Sequence, residues 1–263
     1  MFFFWSHSNL ASWITDEYLE TQRKRLRPNT YLRLHENRWT ASESQFIDMD
    51  MWDACTDKKH RPLLPNKDIQ LFLGVDIGIS HDTSAVVAVF KQDNRLFLGK
   101  HKKWQSSKLF KTDLEETVER YILELAKDFK IKECRFDPYQ FHRSAMTLKK
   151  KGVRMIEFPQ TTDRLTYMSS NLFDLIKERN ITFYPDKDLR KHAQKAVAKE
   201  TPRGWRIIKK KTSHKIDLII SLAMACLGAS QSKQNSKFEI TFLGPKPDPW
   251  QEIPDLDSWD AIM

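Results

Sequence analysis

A chain of 263 residues with 40% hydrophobic residues, 16 phenylalanines and 8 tryptophans carries enough apolar mass for one large core or two small ones. Its 30% charged residues include both signs, which argues against a disordered polyelectrolyte. A net charge of +9 suits a polyanionic partner such as nucleic acid, or an anionic membrane surface, and three scattered cysteines, Cys55, Cys134 and Cys226, argue against a disulfide framework or zinc site and fit a reducing cytoplasm.

Residues 1–66 differ in character from the rest of the chain. The apolar Met1-Phe2-Phe3-Phe4-Trp5 lacks the basic flank and cleavage site of a signal peptide. It reads instead as a buried strand. Thr15, followed by Asp16 and Glu17, marks a helix entry, and Pro28 its stop. Residues 31–39 read as a second helix or an extended segment, and the polar stretch 56–67 as a boundary. Residues 69–104 are strand-rich: a strand over 69–78, a second over 85–91, a hairpin turn at 91–95 and a third strand over 96–104. Thr112 and Glu115 form a capping box for a helix whose apolar positions, Leu114 to Phe129, recur at helical spacing. A strand comes next over 133–137, ended by Pro138. Helices over 140–151, 163–179 and 189–199 then alternate with short strands at 153–158, 181–184 and 205–210. A closing helix spans 214–229. It is the most apolar long segment, but it contains Asp217 and is too short to cross a bilayer. From residue 230 the chain is polar and rich in proline, and reads as extended or poorly ordered.

Three antiparallel strands, then alternating helices and strands, then a closing helix describe an α/β fold of the ribonuclease-H kind, a mixed sheet flanked by helices. In that topology the first strand is central and the strand after the first crossover helix lies beside it. Asp76 sits in the first strand, inside an apolar run where a carboxylate is costly unless it is paired or binds metal. Asp137 ends the neighbouring strand, and Asp217 opens the closing helix. Strands lie about 4.8 Å apart, so three carboxylates can converge. As hard oxygen ligands they suit Mg²⁺ or Mn²⁺. Two ions about 3.5–4 Å apart could then activate water on one side of a phosphate and stabilise the leaving oxygen on the other. Asp82, in the turn after the first strand, is a further acidic candidate, although aspartate is common in turns.

A basic run precedes Asp217. Lys195, Lys199, Arg203, Arg206, Lys209, Lys210, Lys211 and Lys215 face little opposing charge, with Glu200 among them. Either this is a solvated face or it contacts the phosphate backbone of DNA, and its position favours DNA.

The order V-D-I-G-I-S-H-D-T-S-A, R-F-D-P, F-P-Q-T and K-I-D-L-I-I-S-L-A-M-A resembles the nuclease domain of tailed-phage terminase large subunits. Upstream, N-R-W-T-A-S-E-S-Q-F-I-D and M-W-D-A-C resemble the segment joining that nuclease to its packaging ATPase. The resemblance covers roughly residues 30 to 230. It implies a metal-dependent endonuclease that cuts concatemeric double-stranded DNA in the host cytoplasm, with Asp76, Asp137 and Asp217 as metal ligands and Asp82 at an additional acidic position. It also implies a small terminase subunit and a portal protein as partners. On this reading residues 1–66 are a connector or ATPase remnant, 67–230 the nuclease and 231–263 a tail. No G-x-x-x-x-G-K-[ST] loop is present, so an ATPase module would be lost or supplied in trans. Two other readings stay open: a non-catalytic module that grips DNA or the portal, and a fragment of an actin-like or sugar-kinase ATPase, suggested by Asp76-Ile77-Gly78.

Overall fold

The computed structural model describes residues 11, 13–39, 43–78, 83–105, 115–201, 204–211 and 214–232. In chain order, helices α1 (Asp16–Arg25) and α2 (Pro28–His35) lead to strand β1 (Glu43–Gln45) and helix α3 (Met49–Ala54). The meander comes next as β2 (Gln70–Asp76), β3 (Thr83–Gln92) and β4 (Arg95–Gln105). A π-helical turn (Glu115–Glu119) opens α4 (Arg120–Asp128), and then come β5 (Lys130–Phe136), α5 (Pro138–Lys150), β6 (Met155–Glu157) and α6 (Thr162–Lys177). The chain continues through β7 (Ile181–Thr182), α7 (Lys187–Lys195), β8 (Ala196–Thr201), β9 (Gly204–Lys209) and α8 (Asp217–Gln231).

Six strands form one mixed sheet in the order β6-β5-β2-β3-β4-β7. β2, β3 and β4 pair antiparallel; β5 runs parallel to β2, β6 to β5, and β7 to β4. This is the expected ribonuclease-H-like topology, with β2 central. The two-residue turn between β3 and β4 holds Asp93 and Asn94 at positive φ, 47° and 64°, the backbone that a tight hairpin requires. Period-two alternation sends the strand residues to two cores. Leu71, Leu73 and Val75 of β2 and Val86, Ala88 and Phe90 of β3 face α4 and α5. Phe72, Ala85, Val87 and Val89 face α6 and α8. Helix α8 is apolar all round because it is buried on all sides between the sheet, α6 and α7.

Two expectations are corrected. The helix expected over 189–199 ends at Lys195, and residues 196–201 are strand β8, the middle of a second sheet ordered β1-β8-β9. Ala196, Val197 and Ala198 have the helical potential, but pairing with β1 on one side and β9 on the other overrides it. Residues 115–119 form a π rather than an α turn. The strand at 1–5 and the Thr112 half of the capping box lie outside the described residues. Phe46, Ile47, Trp52 and Cys55, from the stretch before residue 66, pack in the same core as α8.

Candidate active site

Strands β2 and β5 end at the same rim of the sheet. Val75 is paired with Phe136, so the next residues, Asp76 and Asp137, stand side by side. Both also fall on one face. Phe72 and Gly74 of β2 face α8, and Glu133 and Arg135 of β5 do the same, approaching Gly228. Alternation therefore turns Asp76 and Asp137 toward that face.

Helix α8 is held against this rim by contacts that the strands dictate. Ser221 donates from Oγ to the carbonyl of Ala85 (3.0 Å), the residue across from Asp76. A Cβ at Gly74 would lie 1.9 Å from the Ser221 carbonyl oxygen, so only glycine lets the helix backbone sit this low. Asp217 lies one turn before Ser221, at the positive end of α8, and is only 6% exposed.

No side chain of α8's own N-cap residue, Ile216, bonds the first turn. His192 of α7 takes that role: its Nδ1 accepts the Leu218 N–H (3.3 Å). Burial, with Lys103 adding, pushes the His192 imidazole down to about 4, so it is neutral and able to accept. Beside it, Lys103 pairs with Asp188 (2.8 Å), and His101 lies between the Tyr184 hydroxyl (2.6 Å) and Asp186 (3.4 Å). The His101 hydrogen bond holds Asp186 at about 2.

On the opposite side, Gln160 Nε2 donates to Asp76 Oδ1 (3.5 Å). Gln160 comes after β6, which extends the same parallel rim. Asp137 is the N-cap of α5, and its Oδ1 accepts the Tyr139 N–H (3.1 Å). Among the described residues, no three histidine, cysteine, aspartate or glutamate side chains are grouped closely enough to hold an ion. The backbone brings Asp76, Asp137 and Asp217 to one rim, but their carboxylates are not gathered on one point. The donor chemistry, carboxylate oxygens from three elements, fits a hard divalent cation. Asp82 lies outside the described residues. Gln160, His192 and His101 were missed by sequence reasoning. Gln160 stood within the F-P-Q-T motif, whereas His192 acts on a residue 26 positions away and left no local signal.

The basic residues fall mainly on the β8–β9 hairpin. Lys199 is paired directly with Arg206, and Lys209, Lys210 and Lys211 continue from the end of β9, where the Lys210 N–H donates to the Lys195 carbonyl (3.4 Å). Lys199, Lys210 and Lys211 are exposed; Lys195, Arg206 and Lys215 are half-buried. Arg203 lies outside the described residues. Also among the described residues, no helix is long and apolar enough to cross a membrane.

A mixed sheet of this order, with a buried helix packed over it, has the ribonuclease-H-like fold. Residues 100–233, just over half of the chain, match the family model for the terminase large subunit, endonuclease domain, and the chain belongs to that family. Among solved structures it is similar to the HK97 bacteriophage large terminase, with a TM-score of 0.59 and 17% identity over 82% of this chain and 51% of that one. The large terminase of a thermophilic bacteriophage gives 0.58 and 15% over 80% and 51%. The large terminase nuclease from another thermophilic phage, G20c, crystallised with bound magnesium, gives 0.53 and 18% over 72% and 98%. The chain thus spans about half the length of the large terminases it resembles. A search of curated protein sequences gave no match.

Proposed function

We propose that this chain is a metal-dependent endonuclease of a viral DNA-packaging terminase, which hydrolyses phosphodiester bonds of concatemeric double-stranded DNA. The observation that carries this reading is that Asp76 and Asp137 each come directly after the last paired residues of adjacent parallel strands, Val75 and Phe136, under a helix whose first residue is a buried carboxylate, Asp217. These three would hold the metal, two Mg²⁺ or Mn²⁺ ions, with Asp82 as a further acidic candidate; the magnesium bound by the G20c nuclease supports the choice of ion. When bound, such ions polarise the phosphate and lower the pKa of a water nucleophile.

The chain's own residues do the positioning. Gln160 fixes the orientation of the Asp76 carboxylate through its amide. His192 satisfies the Leu218 N–H and so sets where Asp217 stands. Asp137, which caps α5 by accepting the Tyr139 N–H, would be the ligand that β5 supplies. Lys195, Lys199, Arg203, Arg206, Lys209, Lys210, Lys211 and Lys215 contact DNA phosphates, which sets the duplex along the β8–β9 hairpin without base readout. A small terminase subunit, a portal protein and an ATPase module complete the packaging machine in the host cytoplasm, with residues 1–66 as the connector to that module, 67–230 as the nuclease and 231–263 as a tail.

The test is cleavage of supercoiled plasmid with Mg²⁺ or Mn²⁺. Asp76→Asn and Asp217→Asn should each lower the rate by about a thousandfold or more, equivalent to losing several kcal/mol of charge stabilisation at the phosphate. Undiminished cleavage in both would overturn the site. The N-cap bond of Asp137 favours one second reading, a module that grips DNA without cutting it. Metal-independent DNA binding with no cleavage under either ion would establish that instead.

A further inference from the structure

Residues 138–156 hold five cations, Arg143, Lys149, Lys150, Lys151 and Arg154, and no aspartate or glutamate. This second basic run is helix α5 and the turn that leads into β6. On its inner face, Phe141, Ala145 and Leu148 share a core with Leu71, Val75 and Phe136 of the sheet. Its outer face reads Tyr139, Arg143, Met146 and Lys150, at the alternating spacing of four and three that aligns side chains along a helix. All four are exposed, Tyr139 to 86%. At about 1.5 Å per residue the stripe is about 17 Å long, which is roughly five base pairs of duplex.

Helix chemistry accounts for only part of this pattern. Lys149 and Lys150 lie in the last turn of α5, where the helix dipole favours cations. The first turn favours acidic residues, and α5 has none there. A ring as exposed as that of Tyr139 buries little apolar surface, so folding gives no reason for it. Its place does. The Tyr139 N–H donates to Asp137 Oδ1 (3.1 Å), which sets the ring beside a proposed metal ligand. Helix α5 begins at the rim where β5 ends, on the face of the sheet opposite α8 and the β8–β9 hairpin. Asp217 therefore stands on one side of the rim and Tyr139 on the other. Glu157, the first carboxylate after the run, faces His142 (3.5 Å).

We propose that the outer face of α5 is a second DNA-contact surface, across the rim from the β8–β9 hairpin. A strand that crosses the rim from the α8 side leaves it over Tyr139, whose hydroxyl donates to a phosphate. Arg143, Lys149 and Lys150 contact phosphates farther along. The duplex is then gripped on both sides of the bond presented to Asp76 and Asp137, which fixes that bond in place better than a grip on one side. The line of charge starts at the rim itself, and that continuity fits a phosphate backbone passing through the site better than a separate acidic protein. The inference rests on the nuclease reading, which supplies the phosphate at the rim.

The test is made in the full chain carrying Asp76→Asn, so that binding of a dye-labelled duplex is read without turnover. With 4-azidophenylalanine in place of Tyr139, irradiation should cross-link the duplex about fivefold or more above the yield with the same residue in place of Trp13, which is 82% exposed and precedes α1. Equal yields overturn the proposal. Fluorescence anisotropy reads the charge. Arg143→Gln, Lys149→Gln and Lys150→Gln together should lower the slope of log affinity against log salt by about 2 to 3. Tyr139→Ala keeps the backbone N–H to Asp137 and removes no charge, so it should weaken binding about fivefold with the slope unchanged. An unchanged slope in the triple variant, or full affinity in Tyr139→Ala, overturns the α5 surface. So does an equal fall in slope from Lys24→Gln, Lys58→Gln and Lys59→Gln. Absence of cleavage by the unaltered chain would count against the nuclease reading instead, and would leave these binding results standing.

Discussion

At the scale of single residues, two glycines record how closely α8 lies on the sheet. A methyl at Gly74 would meet the backbone oxygen of Ser221 at 1.9 Å and the backbone nitrogen of Ala225 at 2.9 Å. Neither atom can move without moving the helix. A methyl at Gly228 would meet Glu133 Oε1 at 2.3 Å, the end of a side chain that swings away at the expense of its 2.7 Å bond from Arg135. Gly74→Ala should therefore cost about 3 kcal/mol or more, as overpacking against backbone does, and Gly228→Ala about 1 kcal/mol. Urea denaturation of the two variants gives the order, and a larger loss for Gly228→Ala would contradict it. Residues of this kind were legible in unequal degree. Asp76 stood out because a carboxylate inside an apolar run needs a reason. Gly74 did not, because its constraint comes from a helix nearly 150 residues later in the chain. His192 was hidden for the same cause: its partner is a backbone N–H that only the folded chain brings to it.

At the scale of elements, the meander and the closing helix could be read because their patterns are long and locally consistent. Strand β8 was misread because a six-residue strand rich in alanine has no pattern of its own and exists by virtue of its neighbours. Helix α7, which delivers His192, begins at a cap that can be tested. Asp186 accepts the Leu189 N–H (2.7 Å) and also pairs with His101. Its carboxyl is held at about 2, first by the His101 hydrogen bond, against an ordinary value of 3.8. A lowered aspartate stabilises the fold above its unfolded value, and that contribution disappears as pH falls toward 2. The stability gap between the native chain and Asp186→Asn should thus be flat from pH 7 to about 4, at about 2 kcal/mol, and should close between about 4 and 2. Asparagine keeps the cap acceptor, so Asp186→Ala should lose about 1 kcal/mol more at every pH. Chemical denaturation across that range measures both. A gap that widens on acidification would rule out the His101 hydrogen bond as its source.

At the scale of the whole molecule, the net charge of +9 is not spread evenly. Residues 195–215 hold eight lysines and arginines against one acidic residue, Glu200, so the β8–β9 hairpin and the residues after it concentrate the positive charge. Pairing of Lys199 with Arg206 puts two cations on one face of a two-stranded ribbon, and Lys209 to Lys211 continue that charge at the end of β9, where the Lys210 N–H reaches the Lys195 carbonyl. A duplex lying along the ribbon would be delivered to the rim by backbone contacts alone. That arrangement has a measurable signature, because each phosphate neutralised releases condensed counterions and adds about 0.9 to the slope of log affinity against log salt. Cleavage has to be silenced without touching the ribbon, so the measurement is made in the Asp76→Asn background. Replacing Lys199, Lys209, Lys210 and Lys211 with glutamine should lower the slope by about 3 to 4 and weaken binding of unrelated duplexes equally. A reduction of the same size from glutamine at Lys24, Lys58, Lys59 and Lys67, which lie before the first strand of the meander, would mean that binding tracks overall charge rather than the hairpin. Loss confined to the hairpin set would mean that the fold aims the duplex, with β8, the strand that sequence reasoning misread, as half of the surface that does so.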